Sequence, residues 1–193
     1  MRSFVRLVEE IRRCTLCSEY LPLGPRPVFQ ADPAAKILVV GQAPGTAVHA
    51  TGLPFNDPSG ERLRAWMGVA RDTFYDAKQF AVVPMGFCYP GRGSGGDLPP
   101  RPECAATWRT ELLSHITDIE LTICVGRYAI DWHLRPPRAT SLGDIVAHWR
   151  TYWTRLLPLP HPSPRNTKWL RDHPWVEAEI VPVLQSHIRA LLS

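Results

Sequence analysis

The stretch KILVVGQAPGTAVHATGLPFNDPSG, Lys36 to Gly60, decides the fold. Ile37-Leu38-Val39-Val40 is a short β-branched run without alternation, the pattern of a parallel strand buried on both faces. It breaks at Gly41-Gln42-Ala43-Pro44-Gly45, a turn suited to small or ring-constrained residues. A polar loop follows, then an isolated aromatic in Leu53-Pro54-Phe55-Asn56, and Asp57-Pro58-Ser59-Gly60 opens a helix. Ser59 is the expected N-cap of this helix, which carries Leu63, Trp66 and Met67. Open α/β sheets bind ligands beside such loops, where backbone amides approach a bound group. A plain strand-to-helix connection has the same appearance, so this turn alone fixes no function.

A second stretch, LPLPHPSPRN from Leu157 to Asn166, adds to it. Another apolar strand end runs into a rigid Pro-X-Pro loop that presents His161, Ser163, Arg165 and Asn166. Outward from these two stretches, periodicity predicts a helix over 4–13 and a second strand at 81–83. It further predicts a helix over 103–116, a strand at 121–125 and a short helix over 126–134. A strand at 152–157 and a helix over 175–192 complete the pattern. Residues 89–102, rich in Gly and Pro, are expected as a structureless loop, a length that is usually functional or tied down. Strands alternating with helices imply an α/β fold, a three-layer α/β/α sandwich around a four-stranded, mainly parallel sheet.

The chain has 193 residues, 45% of them apolar, which fits a single domain over 1–193 with a sizeable core. No apolar run reaches the roughly eighteen residues of a membrane span, and residues 1–13 lack the apolar core of a signal peptide. A cytoplasmic protein with no membrane partner is expected. The net charge is +4, carried mostly by arginine; the lysines are Lys36, Lys78 and Lys168. Such a balance permits a polyanionic partner without requiring one. The 20 prolines are scattered between periodic segments and point to rigid loops, not disorder.

Five cysteines in a chain of cytosolic character argue against a disulfide framework. Cys124 sits in the apolar run LTICV and reads as a small buried hydrophobe. Cys14-x-x-Cys17, with Cys88 and Cys104 flanking the long loop, offers four thiolates that a fold can gather. Such a set suits a [4Fe–4S] cluster or structural zinc; four free thiols are the plainer alternative.

GQAPG at 41–45 with Phe55, then HPSP at 161–164, together resemble the two signature motifs of the uracil-DNA glycosylase superfamily. The likeness covers nearly the whole chain, in the right order. The first motif and the cysteine spacing are similar to the iron–sulfur-bearing family 4, and HPSPRN to the single-strand-selective monofunctional branch. The resemblance implies hydrolysis of the N-glycosidic bond of uracil, or another deaminated base, after the base flips out of DNA. His161 is then the donor to O2 of the departing base, and Gln42 and Ala43 place backbone amides and a water near the sugar. The expected base-binding set is Phe55 as stacking floor, with Asn56, Gly41 and Met85. Ser163 is expected to grip a phosphate, Arg165 to wedge into the vacated stack or bind phosphate, and Asn166, Lys168 and Arg171 to extend the DNA surface. Cys14, Cys17, Cys88 and Cys104 are expected to hold a structural [4Fe–4S] cluster, with zinc as the less favoured metal.

The sequence departs from the family pattern at four places. Ala43 replaces the water-activating aspartate of the best-known branch, and Gln42 stands where family 4 has Glu. Pro84 occupies the position of the base-reading asparagine, so Asn56 or backbone groups around Met85 and Gly86 are the expected substitutes. Tyr89-Pro90-Gly91-Arg92 follows the third cysteine in place of a basic residue and prolines. Neither motif holds a lysine, which argues against a Schiff-base lyase step. The expected protein is a monomeric, monofunctional glycosylase acting on single- or double-stranded DNA at the start of base excision repair. The alternatives are a DNA-binding or damage-sensing module that has lost chemistry, or a domain acting on free nucleosides.

Overall fold

The computed structural model describes residues 2–193. Four parallel strands form the central sheet: β1 (Ile37–Val40), β2 (Phe80–Val82), β5 (Leu121–Val125) and β6 (Leu156–Leu159), in the order β2-β1-β5-β6. β3 (Arg92–Gly93) and β4 (Gly96–Asp97) form a separate antiparallel hairpin. Because successive side chains of a strand point to opposite faces, each strand supplies two cores. Ile37, Val39, Phe80, Val82, Ile123 and Leu157 pack on one face with Leu63, Trp66, Trp149, Leu184 and Ile188. Leu38, Val40, Ala81, Val83 and Cys124 pack on the other with Leu7, Ile11, Trp108, Leu112 and Ile130. Both faces are covered by helices, which is the expected three-layer α/β/α sandwich.

The helices on the first face include α3 (Pro58–Met67) and the C-terminal α10 (Val181–Leu192), which follows a π-helical turn at Val176–Ile180. On the second face lie α1 (Phe4–Arg12) and a run made of α5 (Pro102–Cys104), a π-helical turn (Ala105–Arg109) and α6 (Thr110–Ser114). α7 (Arg127–Leu134) completes it. Short helices α2 (Thr46–Thr51), α4 (Arg71–Phe74), α8 (Leu142–Ala147) and α9 (Thr167–Asp172) fill connections that the sequence reading left as loop.

Three sequence expectations need correction. The fourth strand lies at Leu156–Leu159, not 152–157, and includes three residues of the Leu-Pro-Leu-Pro run. It is an edge strand, where Pro158, within the strand, needs no partner for a missing N–H. The segment 89–102 is not structureless, since it folds into the β3–β4 hairpin. The N-cap of α3 is Asp57, whose Oδ1 accepts from Gly60 N at 2.8 Å, with Pro58 at the first helical position and Ser59 inside the helix.

Arg109 is fully buried, yet no carboxylate faces it among the described residues. It donates to the carbonyls of Val83 and Pro84, the latter at 2.8 Å, and meets His133 Nε2 at 3.0 Å. Burial lowers its pKa to about 10. Since arginine can only donate, His133 Nε2 must accept, and the imidazole is neutral. Burial, with the Arg109 charge beside it, pushes the His133 pKa down from 6.5 to about 4. Between those values the unfolded chain binds the extra proton, so stability from this group is full above about pH 6.5 and lost toward pH 4. The expected loss across that window is about 2 kcal/mol, allowing for partial exposure. Unfolding in urea at several pH values tests this: His133→Gln should flatten the decline, and an unchanged slope would contradict the assignment.

Candidate active site

β1 and β5 are neighbours whose onward connections leave in opposite directions, one to β2 and the other to β6. At such a switch point the carboxyl ends of parallel strands open a crevice. Here the crevice is a cavity of about 490 Å³, lined from the β1 loop, the end of β2, the hairpin and the HPSPRN segment.

The β1 loop is shaped around Phe55. This residue has φ 53°, a left-handed conformation that a bulky side chain rarely takes and that costs about 1–3 kcal/mol. Several contacts hold it. Arg64, only 8% exposed, donates to Phe55 O at 3.1 Å, its guanidinium over the rings of Phe74 and Tyr75. The Phe55 ring meets Phe74 edge-on with centroids 6.4 Å apart. Two glycines leave it room. A Cβ on Gly41 would stand 3.1 Å from the tip of the ring, and one on Gly60 would stand 1.7 Å from Phe55 O.

His161 follows the end of β6. The backbone N–H of Ser163 donates to its Nδ1 at 3.2 Å, so the ring proton sits on Nε2 and that nitrogen is a donor. Burial lowers the His161 pKa below its ordinary value, while Asp57 and Asp97 pull the other way. Asn166 Nδ2 donates to His161 O at 2.8 Å and locks the turn from behind. Arg62 ties the segment to α3, donating to Ser163 O at 3.4 Å and to Thr167 Oγ1 at 3.3 Å.

Of the residues singled out from sequence, Gly41, Gln42, Ala43, Phe55, His161, Ser163, Arg165 and Asn166 all line the cavity. Asn56, Met85 and Lys168 do not. Met85 is buried in the core of the second face, and its N–H is already bonded to Gly41 O at 2.9 Å. Gly86 N–H is likewise spent on Gln42 O at 2.9 Å, so the amides expected to read a base instead stitch the β1 and β2 loops together. Gln42 uses its side-chain amide to hold the hairpin, donating to Leu98 O at 2.8 Å and to Asp97 O at 3.4 Å. The sequence reading missed Gly95, Gly96 and Asp97, which form a wall of the cavity. Only the glycine pair marked a turn there, and nothing in the pattern showed where the turn would land.

Cys14, Cys17, Cys88 and Cys104 all line a second, mostly apolar pocket, together with Phe87, Arg101 and Trp108. Phe87 N donates to Cys104 Sγ and Trp108 Nε1 to Cys14 Sγ, each at 3.3 Å. Burial raises the thiol pKa of Cys88 to about 11 and of Cys104 to about 12, and raises that of Cys17. Among the described residues, no three His, Cys, Asp or Glu side chains are gathered closely enough to hold a single metal ion. As a donor set, four soft sulfurs with N–H groups pointing at two of them fit a thiolate-bound iron–sulfur group. Cys124 is buried in the core, as its sequence context implied.

The strand-end cavity thus combines an aromatic side chain, a histidine whose Nε2 is a donor and an exposed arginine at its rim. Residues 28–185 match the family described as the uracil DNA glycosylase superfamily. The chain belongs to that superfamily; its activity is of the DNA glycosylase class and its substrate is DNA. No helix among the described residues is long and apolar enough to cross a membrane.

The packing around Phe55 gives a direct test. In Gly60→Ala the new Cβ would overlap the Phe55 carbonyl, so the 54–56 turn must move. A loss of about 2–3 kcal/mol in urea unfolding is expected. Unchanged stability would show that the turn shifts freely and that the left-handed Phe55 is not held.

Proposed function

We propose that this protein is a monofunctional DNA glycosylase that removes uracil or another deaminated base from DNA, closest in kind to the iron–sulfur family 4. The observation that carries the reading is His161, whose Nδ1 is occupied by Ser163 N–H, leaving Nε2–H as a fixed donor beside the Phe55 platform. A flipped nucleotide costs a few kcal/mol in lost stacking. Stacking on an aromatic ring returns about 1–3 kcal/mol, and Phe55 is already clamped in place to provide it. As the C1′–N bond lengthens, the electron pair moves onto the base, and its carbonyl oxygen gains charge. His161 Nε2–H stabilises that charge without moving a proton first.

Water completes the reaction at C1′ and leaves an abasic site. Among the described residues no lysine lines the cavity; Lys36 Nζ is spent on Leu191 O at 2.8 Å. A Schiff-base lyase step therefore has no amine, which supports the monofunctional reading. Base identity rests on the cavity's own polar groups, because Pro84 stands just past the end of β2 and Asn56 does not line the cavity. Arg165, exposed at the rim with Nη1 3.4 Å from Gly95 O, is placed to fill the gap in the stack or hold a phosphate, and Ser163 lies beside it. The setting that suits this activity is the cytoplasm, on nucleoid DNA.

Cys14, Cys17, Cys88 and Cys104 would hold a [4Fe–4S] cluster, with zinc as the competing occupant. A single tetrahedral zinc needs sulfurs packed at about 2.3 Å from one centre. The four thiols share one pocket, and the family 4 resemblance of their spacing is what favours the cluster. Such a cluster would be structural, joining the N-terminal segment to both ends of the hairpin loop.

The decisive assay uses oligonucleotides, single-stranded and duplex, carrying uracil, hypoxanthine or xanthine, with alkali to reveal abasic sites. His161→Ala should slow single-turnover cleavage by about 10²–10³-fold while DNA affinity changes little. A wild-type protein that binds these strands tightly and cleaves none would overturn the glycosylase reading. For the cysteines, anaerobically purified protein should contain about four irons per chain with matching sulfide. Stoichiometric zinc, or no metal, would refute the cluster, and Cys104→Ser should abolish iron retention.

A further inference from the structure

The first-motif loop, Gly41 to Gly45, carries no carboxylate. Two carboxylates nevertheless line the cavity, Asp57 and Asp97. Asp57 is committed to capping α3, its Oδ1 accepting from Gly60 N at 2.8 Å. Asp97 is different. It arrives from the other side, on the hairpin between Cys88 and Cys104, where it is exposed and lines the rim of the cavity. Its backbone is held instead, with Gln42 donating to Asp97 O and Leu98 O and Arg165 donating to Gly95 O.

The geometry brings the Asp97 carboxylate against the first-motif loop. A Cβ on Gly45 would lie 3.5 Å from Asp97 Oδ2, so the carboxylate stands within ordinary contact distance of the first-motif loop. Gly96, at φ 141°, makes the preceding turn, and a Cβ there would strike Arg165 Nη1 at 2.7 Å. The charge of Asp97 also reaches His161, whose protonated form it favours. One carboxylate thus faces both the loop beside the sugar and the histidine that would hold the leaving base.

We infer that Asp97 is the catalytic carboxylate of this enzyme, supplied by the hairpin to orient and deprotonate the attacking water in place of the acid that the first motif lacks. The inference rests on the glycosylase reading above. In the step, the carboxylate accepts a proton from water as the water oxygen bonds to C1′. The C1′–N bond breaks, and its electron pair leaves with the base, which is held by His161 Nε2–H. The proton on Asp97 then passes to the departing base or to solvent. While the glycosidic bond is breaking, the same negative charge stabilises the cationic sugar.

The test compares wild type with Asp97→Asn, Asp97→Ala and Asp97→Glu. Two quantities are read: the single-turnover rate on whichever base the wild type cleaves, and the Kd for DNA carrying a 2′-fluoro nucleotide of that base. Asp97→Asn keeps the shape and should lower the rate at least about 10²-fold, the range for loss of a general base. Its Kd should be unchanged or tighter, because a negative charge near the phosphates is gone. Asp97→Glu should recover part of the rate, and Asp97→Ala none. An active wild type with Asp97→Asn within about threefold of it overturns this inference alone and makes the hairpin a purely structural wall. A Kd that weakens in step with the rate also overturns it. A wild type that cleaves no base overturns the glycosylase reading and this inference with it.

Discussion

Phe55 sits at φ 53°, and the organisation of the cavity depends on keeping it there. The conformation is unfavourable for a phenylalanine by itself, so it persists only where surrounding contacts over-determine it. Gly60 gives the carbonyl room, buried Arg64 grips that carbonyl, and Gly41 lets the ring lie over the β1 loop. α3 carries both Gly60 and Arg64, and its Arg62 reaches across to the HPSPRN segment. One helix therefore sets the aromatic platform and the histidine loop relative to each other. Strain is concentrated where a base would stack, and the helix that maintains it is packed into the larger core.

The charges around the crevice have a consistent arrangement. Behind the end of β2, a buried guanidinium bonds the carbonyls of Val83 and Pro84, and the neighbouring His133 is held neutral. In front, His161 is also neutral and offers a proton from Nε2, with Asp57 and Asp97 within electrostatic reach. At the rim stands Arg165, the one exposed cation in the HPSPRN segment. A neutral donor, carboxylates and an exposed cation at the rim suit a reaction that produces an anionic base and a cationic sugar. The cysteine pocket lies at the base of the hairpin that carries Asp97, so whatever joins Cys88 to Cys104 also fixes how that hairpin leaves the domain.

Much of this was legible in the sequence because the physics was local. Ile37–Val40 reads as a doubly buried strand from its β-branched run, and every one of its residues is buried. HPSP announces a rigid loop, and its histidine does face the cavity. The less local features were not legible. Asp57 displaced Ser59 as the cap because proline at the next position favours the first turn of a helix. The final strand slipped toward the prolines because an edge strand tolerates them, and edge status is a property of the whole sheet. Asn56 and Met85 stand near the motifs in sequence, yet neither lines the cavity, and Met85 is buried in the core. Asp97 could not be found at all, since two glycines announce a turn but not what it will face.

The most direct test of the account is a crystal structure of the protein with DNA carrying a 2′-fluoro-deoxyuridine, which resists cleavage. The account predicts the base stacked on Phe55, its carbonyl oxygen within hydrogen-bond distance of His161 Nε2, and Arg165 at the gap in the duplex or on the flanking phosphate. A base left in the helix, or seated away from Phe55 and His161, would contradict it.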